Sequence, residues 1–356
     1  MRLVSSGSRM RAEDLLMKPR VPYLKERESE MFNRRHTHKK RCLFFAMIAI
    51  ALVGVATGIP TWAKDHPATP PVPVKMLVTV QGAHGKKMPD LKREDIVVKQ
   101  GNERFNVTQW TPATGEGGSL AFYILIDDAA DTSLGGLLDD VRAFIEAQPA
   151  TTLVGVGYMS NATVRIAQDL TNDHGKASQA LRLPLGNPGA YGSPYLSLAD
   201  LVKRWPDHPG RKEVLMITDG IDRFRGQYSR LSALSPSPDL DTASSVCQRA
   251  GIIVHSIYAR GTGRRSRNIW ILTGGQYGLG QLADETGGEA FFLGYENPVS
   301  FKPYLDQLQA ILDNQYWLGF ETKPGKEAEL RSVDIDTEIS GVDIHSADGV
   351  HVPAAQ

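Results

Sequence analysis

Two acidic clusters follow two apolar runs. Asp127, Asp128 and Asp131 come after Leu120–Ile126 (LAFYILI), and Asp219 and Asp222 come after Glu213–Thr218 (EVLMIT). A third segment, Gly-Ala-Tyr-Gly-Ser-Pro at 189–194, sets Ser193 just before a helical pattern. Carboxylates and hydroxyls delivered by separate loops suit a hard divalent cation such as Mg²⁺, with water completing the octahedron. The same aspartates also suit turns and helix N-caps, and the residue types leave both readings open. A metal-dependent hydrolase built on Asp127, Asp128, Asp131 and Asp219 would need a positioned acid or base, and no His or Lys clearly joins them. The sequence has neither a Gly-x-Ser-x-Gly elbow nor a His-Glu-x-x-His pair.

Other candidates read more simply. Arg260, Arg264, Arg265 and Arg267 form a basic loop, either solvated or anion-binding. The glycine run 274–280 lacks a Walker Gly-Lys-Ser/Thr ending, so it is expected to be a loop entering a helix at 279–286. His255 lies inside an apolar run and reads as a core histidine. Trp205, Trp270 and Trp317 read as packing residues.

The acids must be held by the elements before them. Continuous apolar runs at 120–126, 152–159, 213–218, 252–258 and 290–293 predict buried strands. Helical patterns at 137–147, 174–181, 195–205, 240–250, 279–286 and 301–314 separate them, and 163–167 reads as a short edge strand. Strands buried on both faces and alternating with helices predict an α/β, doubly wound, mostly parallel sheet. In such sheets ligands bind beyond the carboxyl ends of the strands, where the acids lie. A small β unit precedes it at 74–112, with strands at 74–80, 96–99 and 105–110 and a short helical turn between the first two. A further strand at 316–322 closes the α/β domain (119–322), and a tail at 323–356 is expected to add one or two peripheral strands.

Charge divides the chain. The 40 Lys+Arg balance 40 Asp+Glu overall, yet residues 1–41 hold 12 basic against 5 acidic, leaving 28 against 35 in the remainder. An acidic body excludes a dedicated nucleic-acid binder. With 41% apolar and 22% charged residues, the chain is neither disordered nor polytopic. Residues 43–59 (LFFAMIAIALVGVATGI) are uncharged and follow Arg34, Arg35, Lys39, Lys40 and Arg41, while Thr61 and Ala63 precede Lys64. This is the pattern of a secretory signal within 42–63, either cleaved or retained as a single membrane anchor. Met31 would give it an ordinary start. The positive flank stays cytoplasmic, so the body is expected outside that membrane, periplasmic, secreted or anchored. Residues 64–73 form a Pro-rich linker. The two cysteines, Cys42 and Cys247, make no disulfide framework.

The order of these motifs resembles a von Willebrand factor A (VWFA) domain: an apolar strand ending in Asp127, a Gly-Ser-Pro turn opening a helix, and a strand ending Ile217-Thr218-Asp219-Gly220. More narrowly it resembles a bacterial VWFA-related family of exported proteins. That family has a β segment like Val78–Trp110 before the domain and a strand like Tyr316–Phe320 after it. The resemblance implies a metal-ion-dependent adhesion site. Asp127 and Asp219 match its aspartates and Ser193 keeps a hydroxyl where its threonine belongs, but Ala129 and Asp131 stand where its two serines belong, and Ala129 brings no ligand atom; a shift by one residue (Asp128, Ala130, Thr132) recovers one hydroxyl and still lacks the other. It implies a non-enzymatic protein-binding module that takes a partner's carboxylate through the cation. A metal-free envelope part is the other outcome.

Overall fold

The computed structural model describes residues 70–82, 89–115, 118–187, 192–224, 237–263, 267–292 and 294–354. The basic N-terminus, the apolar run 43–59, most of the linker, Gly189–Tyr191, and Arg264 and Arg265 lie outside them. Among the described residues no helix is long and apolar enough to cross a membrane.

The chain opens with β1 (Val72–Gly82), β2 (Ile96–Gln100), β3 (Glu103–Phe105) and β4 (Val107–Pro112). The α/β region follows: β5 (Leu120–Asp127), α1 (Leu138–Glu146), β6 (Thr152–Ser160), β7 (Thr163–Thr171), α2 (His174–Gln179), α3 (Pro194–Lys203) and β8 (Arg211–Thr218). It continues with α4 (Pro238–Ala250), β9 (Ile253–Tyr258), α5 (Ile269–Thr286), β10 (Ala290–Phe291) and α6 (Lys302–Asp313). Last come β11 (Gln315–Thr322), β12 (Glu329–Ser332), β13 (Asp334–Thr337), β14 (Val342–Ser346) and β15 (Gly349–Val352).

The six-stranded sheet has the order β10-β9-β8-β5-β6-β7. All its pairings are parallel except β6 with β7, which is antiparallel. Every residue of β5 is buried, as its unbroken apolar run requires. On β7 exposed Thr163 and Arg165 flank buried Val164, as befits an edge strand. One face packs Leu138, Val141 and Ile145 of α1 with Leu305 and Leu308 of α6. The other packs Tyr195 and Leu198 of α3 with Leu240 and Cys247 of α4. The doubly wound sheet is therefore covered on both sides, as expected.

Three expectations are corrected. The glycine run 274–280 is not a loop: α5 begins at Ile269 and runs through it. Two of its glycines sit where neighbours press in. A Cβ at Gly275 would lie 2.3 Å from the Asp219 carbonyl oxygen, and one at Gly278 2.3 Å from the Tyr195 hydroxyl. The helix keeps them at a cost in propensity because only a bare backbone fits against the loop after β8. The tail is not peripheral either. It forms four strands, of which β14 pairs with β1 and β13 with β2. Strand β11, expected to close the α/β sheet, lies between β1 and β4. A unit of about 40 residues cannot enclose a core. The late strands complete it, burying Val78, Val80, Val98, Leu318, Phe320 and Val352 together.

Candidate functional site

From β5 the chain builds outward through β6 and β7, then returns to place β8 on the other side of β5. This reversal opens a crevice at the carboxyl ends of β5 and β8, the place where open α/β sheets bind. Asp127 ends β5, Thr218 ends β8, and Asp219 follows it directly.

Asp127 is buried. Its Oδ1 accepts the Ala129 N–H at 2.8 Å, and its Oδ2 accepts the Thr218 hydroxyl at 2.7 Å. Burial pushes its pKa up to about 6, and Asp219 adds to the rise against the pull of Arg223 and the two hydrogen bonds. Asp219 is buried too. Its Oδ1 accepts the Ile221 N–H and the Arg223 Nη1–H, each at 3.0 Å. Its Oδ2 is paired with Arg223 Nη2. Gly220, between them, takes φ +69° to make the turn, and its carbonyl accepts the Tyr195 hydroxyl at 2.9 Å.

The other predicted positions go elsewhere. Asp128 is clamped by the Arg182 guanidinium at 2.8 and 3.0 Å and accepts the Leu185 N–H at 3.2 Å. Arg182 in turn lies 3.6 Å from the centre of the Tyr158 ring. Asp131 caps the short 3₁₀ turn Thr132–Leu137 through the Ser133 N–H at 2.8 Å, and that bond holds its carboxyl below the usual range. It faces a separate cavity of about 400 Å³ with Ser133, Arg260 and Asn297. Ser193 is the N-cap of α3. Asp222 accepts the Ser237 hydroxyl at 2.6 Å. The structure thus brings Asp127 and Asp219 together, and gives Asp131 and Ser193 the capping roles that the sequence had left open.

These donors do not fit a divalent cation. Ala129 offers no ligand atom, Asp128 is saturated by Arg182, and the inner face of Asp219 is taken by Arg223. Among the described residues no group of three or more His, Cys, Asp or Glu is placed to hold a metal. Sequence reasoning missed Arg223, Arg182 and Thr218. The available signal for Arg223 was its spacing, four residues after Asp219 on a tight Asp-Gly turn.

The rim loops are tied into one surface. Thr262 N–H donates to the Ala129 carbonyl at 2.9 Å, its hydroxyl to that of Gly186 at 2.8 Å, and Asp131 N–H to that of Arg260 at 2.9 Å. Around the closed acids stand exposed apolar side chains: Leu183 (50%), Leu185 (62%), Phe224 (43%), Ile269 (48%) and Trp270 (40%). Trp270, expected to pack, is partly exposed. Trp205 does pack, edge-on to Tyr123, and Trp317 lies under Lys75. His255 is a buried core residue: Glu289 N–H donates to its Nδ1 at 3.1 Å, so its Nε2–H faces Glu213 at 2.9 Å.

No family model and no curated protein matches the chain. Among solved structures it is similar to an aerotolerance-related membrane protein from Bacteroides fragilis NCTC 9343, at 12% identity and TM-score 0.38, over 55% of this chain and 98% of that one. It is similar to the SpRpn10 VWA domain at 11% identity and TM-score 0.35, over 53% and 95%. It is also similar to the human COPII-coat protein Sec24c at 10% identity and TM-score 0.36, over 68% and 44%. The chain's own topology is a doubly wound, mostly parallel α/β sheet, joined to a β unit assembled from both ends of the described chain.

Proposed function

We propose that the chain is an exported protein-interaction module of the VWFA type, an adhesion or assembly part of the cell envelope and not an enzyme. Its partner protein docks on the rim at the carboxyl ends of β5 and β8. One observation carries this reading: apolar side chains stand exposed around acids that are already neutralised within the chain. Exposed apolar residues gathered where this architecture binds are the mark of an interaction surface. Export is supported by the basic flank and apolar run at 34–63. A hydrolytic role would need a reactive acid facing solvent, whereas Asp127 and Asp219 are buried and bonded on both oxygens.

Site-specific photo-crosslinking of the full chain in its native envelope tests the reading. A crosslinker in place of Leu185 or Ile269 should yield the same discrete protein adduct, with or without chelator. One in place of Arg104, on the β unit, should not yield it. Adducts absent from both rim positions would refute docking there. A reporter active only outside the cytoplasm, fused after residue 69, checks export separately.

A further inference from the structure

Asp127 and Asp219 are buried at adjoining strand ends, and buried carboxylates need a counter-charge. The chain supplies one from its own next turn. The Arg223 side chain is only 6% exposed. Its two terminal nitrogens face the two oxygens of Asp219, the fork geometry that guanidinium and carboxylate share. Its backbone N–H donates to the Gly192 carbonyl at 2.7 Å, which fastens it to the residue before Ser193. Room for the guanidinium depends on a bare backbone across the crevice. A Cβ at Gly261 would come within 2.1 Å of Asp219 Oδ2 and 2.5 Å of Arg223 Nη2. Burial alone would lower the arginine's pKa, but the charges of Asp219 and Asp127 outweigh it and raise it.

We infer that Arg223 is the resident cation of this rim, a tethered guanidinium that does the charge-balancing work of a bound divalent ion and closes the crevice to metal. The inference deepens the docking proposal and rests on it for one consequence. With no open coordination position, the rim holds its partner by apolar contact, and an acidic side chain on that partner is not required. A permanent cation also frees the surface from the divalent-ion concentration outside the membrane. It leaves a latent site: once the guanidinium is removed, two carboxylates and water form an all-oxygen environment that suits Mn²⁺ or Mg²⁺.

The test uses the full chain with Mn²⁺ alone as the probe, followed by calorimetry and by the melting temperature. The wild type should show no saturable Mn²⁺ binding and no change in melting temperature with Mn²⁺ or chelator. Arg223→Ala should melt lower, gain saturable Mn²⁺ binding, and regain melting temperature in proportion to the logarithm of Mn²⁺ concentration. Adding Asp219→Ala to that variant should abolish the gain. Arg223→Lys keeps a charge and should fold without binding Mn²⁺. Mn²⁺ binding by the wild type that Asp219→Ala removes would overturn the inference, as would a folded Arg223→Ala that binds no more than the wild type. Should Arg223→Ala fail to fold, the wild type and Arg223→Lys decide: refusal of Mn²⁺ by both supports the resident cation, and binding at Asp219 by either overturns it. A rim that refuses Mn²⁺ yet gives no crosslinks would refute docking and leave the role of Arg223 standing.

Discussion

Strand β8 carries buried charge at both ends, and the two ends differ. At the lower end Arg211 donates to the Leu312 carbonyl and to Gln315 Oε1, each at 2.7 Å, so it joins the start of β8 to the end of α6 and the start of β11. Glu213 beside it pairs with His255 deep between strands. At the upper end Asp219 and Arg223 satisfy one another within four residues, on loops that lead to the surface. At the lower end Arg211 ties the α/β domain to the β unit, while the upper charges shape a rim that exposes Leu183, Leu185, Phe224, Ile269 and Trp270. Buried charge alone therefore does not single out the proposed docking rim. Its position at the strand reversal and the exposed apolar side chains beside it do.

The contrast can be broken at either end. Asp219→Ala leaves Arg223 buried without its partner and should cost about 3–5 kcal/mol in urea unfolding. Pairing it with Arg223→Met should recover much of that loss, because an apolar pair of similar volume replaces the ion pair. Arg211→Met strands two acceptors in the interior and should cost about 2–3 kcal/mol. It should also separate the unfolding of the α/β domain from that of the β unit, which Asp219→Ala should not do.

A smaller, pH-dependent effect belongs to Asp127 alone. Its folded pKa, about 6, lies above the ordinary 3.8, so the native state holds its proton more tightly than the unfolded chain does. The resulting stability is fully present below about pH 4 and is lost as pH rises through 6. Asp127→Asn stays neutral, and its stability should lack that decline, a difference on the order of 2 kcal/mol between pH 4 and 7. Parallel melts of the two proteins across that range would show it. Smallest in stability, and largest in function, are the surface changes. Leu185→Ser and Ile269→Ser should each shift stability by less than about 0.5 kcal/mol, yet remove the rim adduct when combined. An unchanged adduct would move the docking surface elsewhere.

The α/β region was legible because its strands are unbroken apolar runs and its helices separate them. Asp127 and Asp219 were placed at one rim by that reading alone. Three things were not legible. The helix through Gly274–Gly280 was hidden because glycine signals a loop locally, while its cause here is contact with Asp219 and Tyr195 far along the chain. The partnership of β11, β13 and β14 with the first strands was hidden because alternation reveals a strand but not its neighbour. The role of Arg223 was hidden because an arginine after a turn reads as a solvated residue until the crevice that encloses it is known. Asp131 and Ser193 show the reverse: their types fitted both a ligand and a cap, and local backbone N–H groups claimed them.

An experimental structure of the chain, soaked in Mn²⁺ and recorded at the manganese absorption edge, tests the closed rim most directly. The account predicts guanidinium density across Asp219 and no anomalous peak beside it. A manganese peak between Asp127 and Asp219, with Arg223 swung outward, would contradict it.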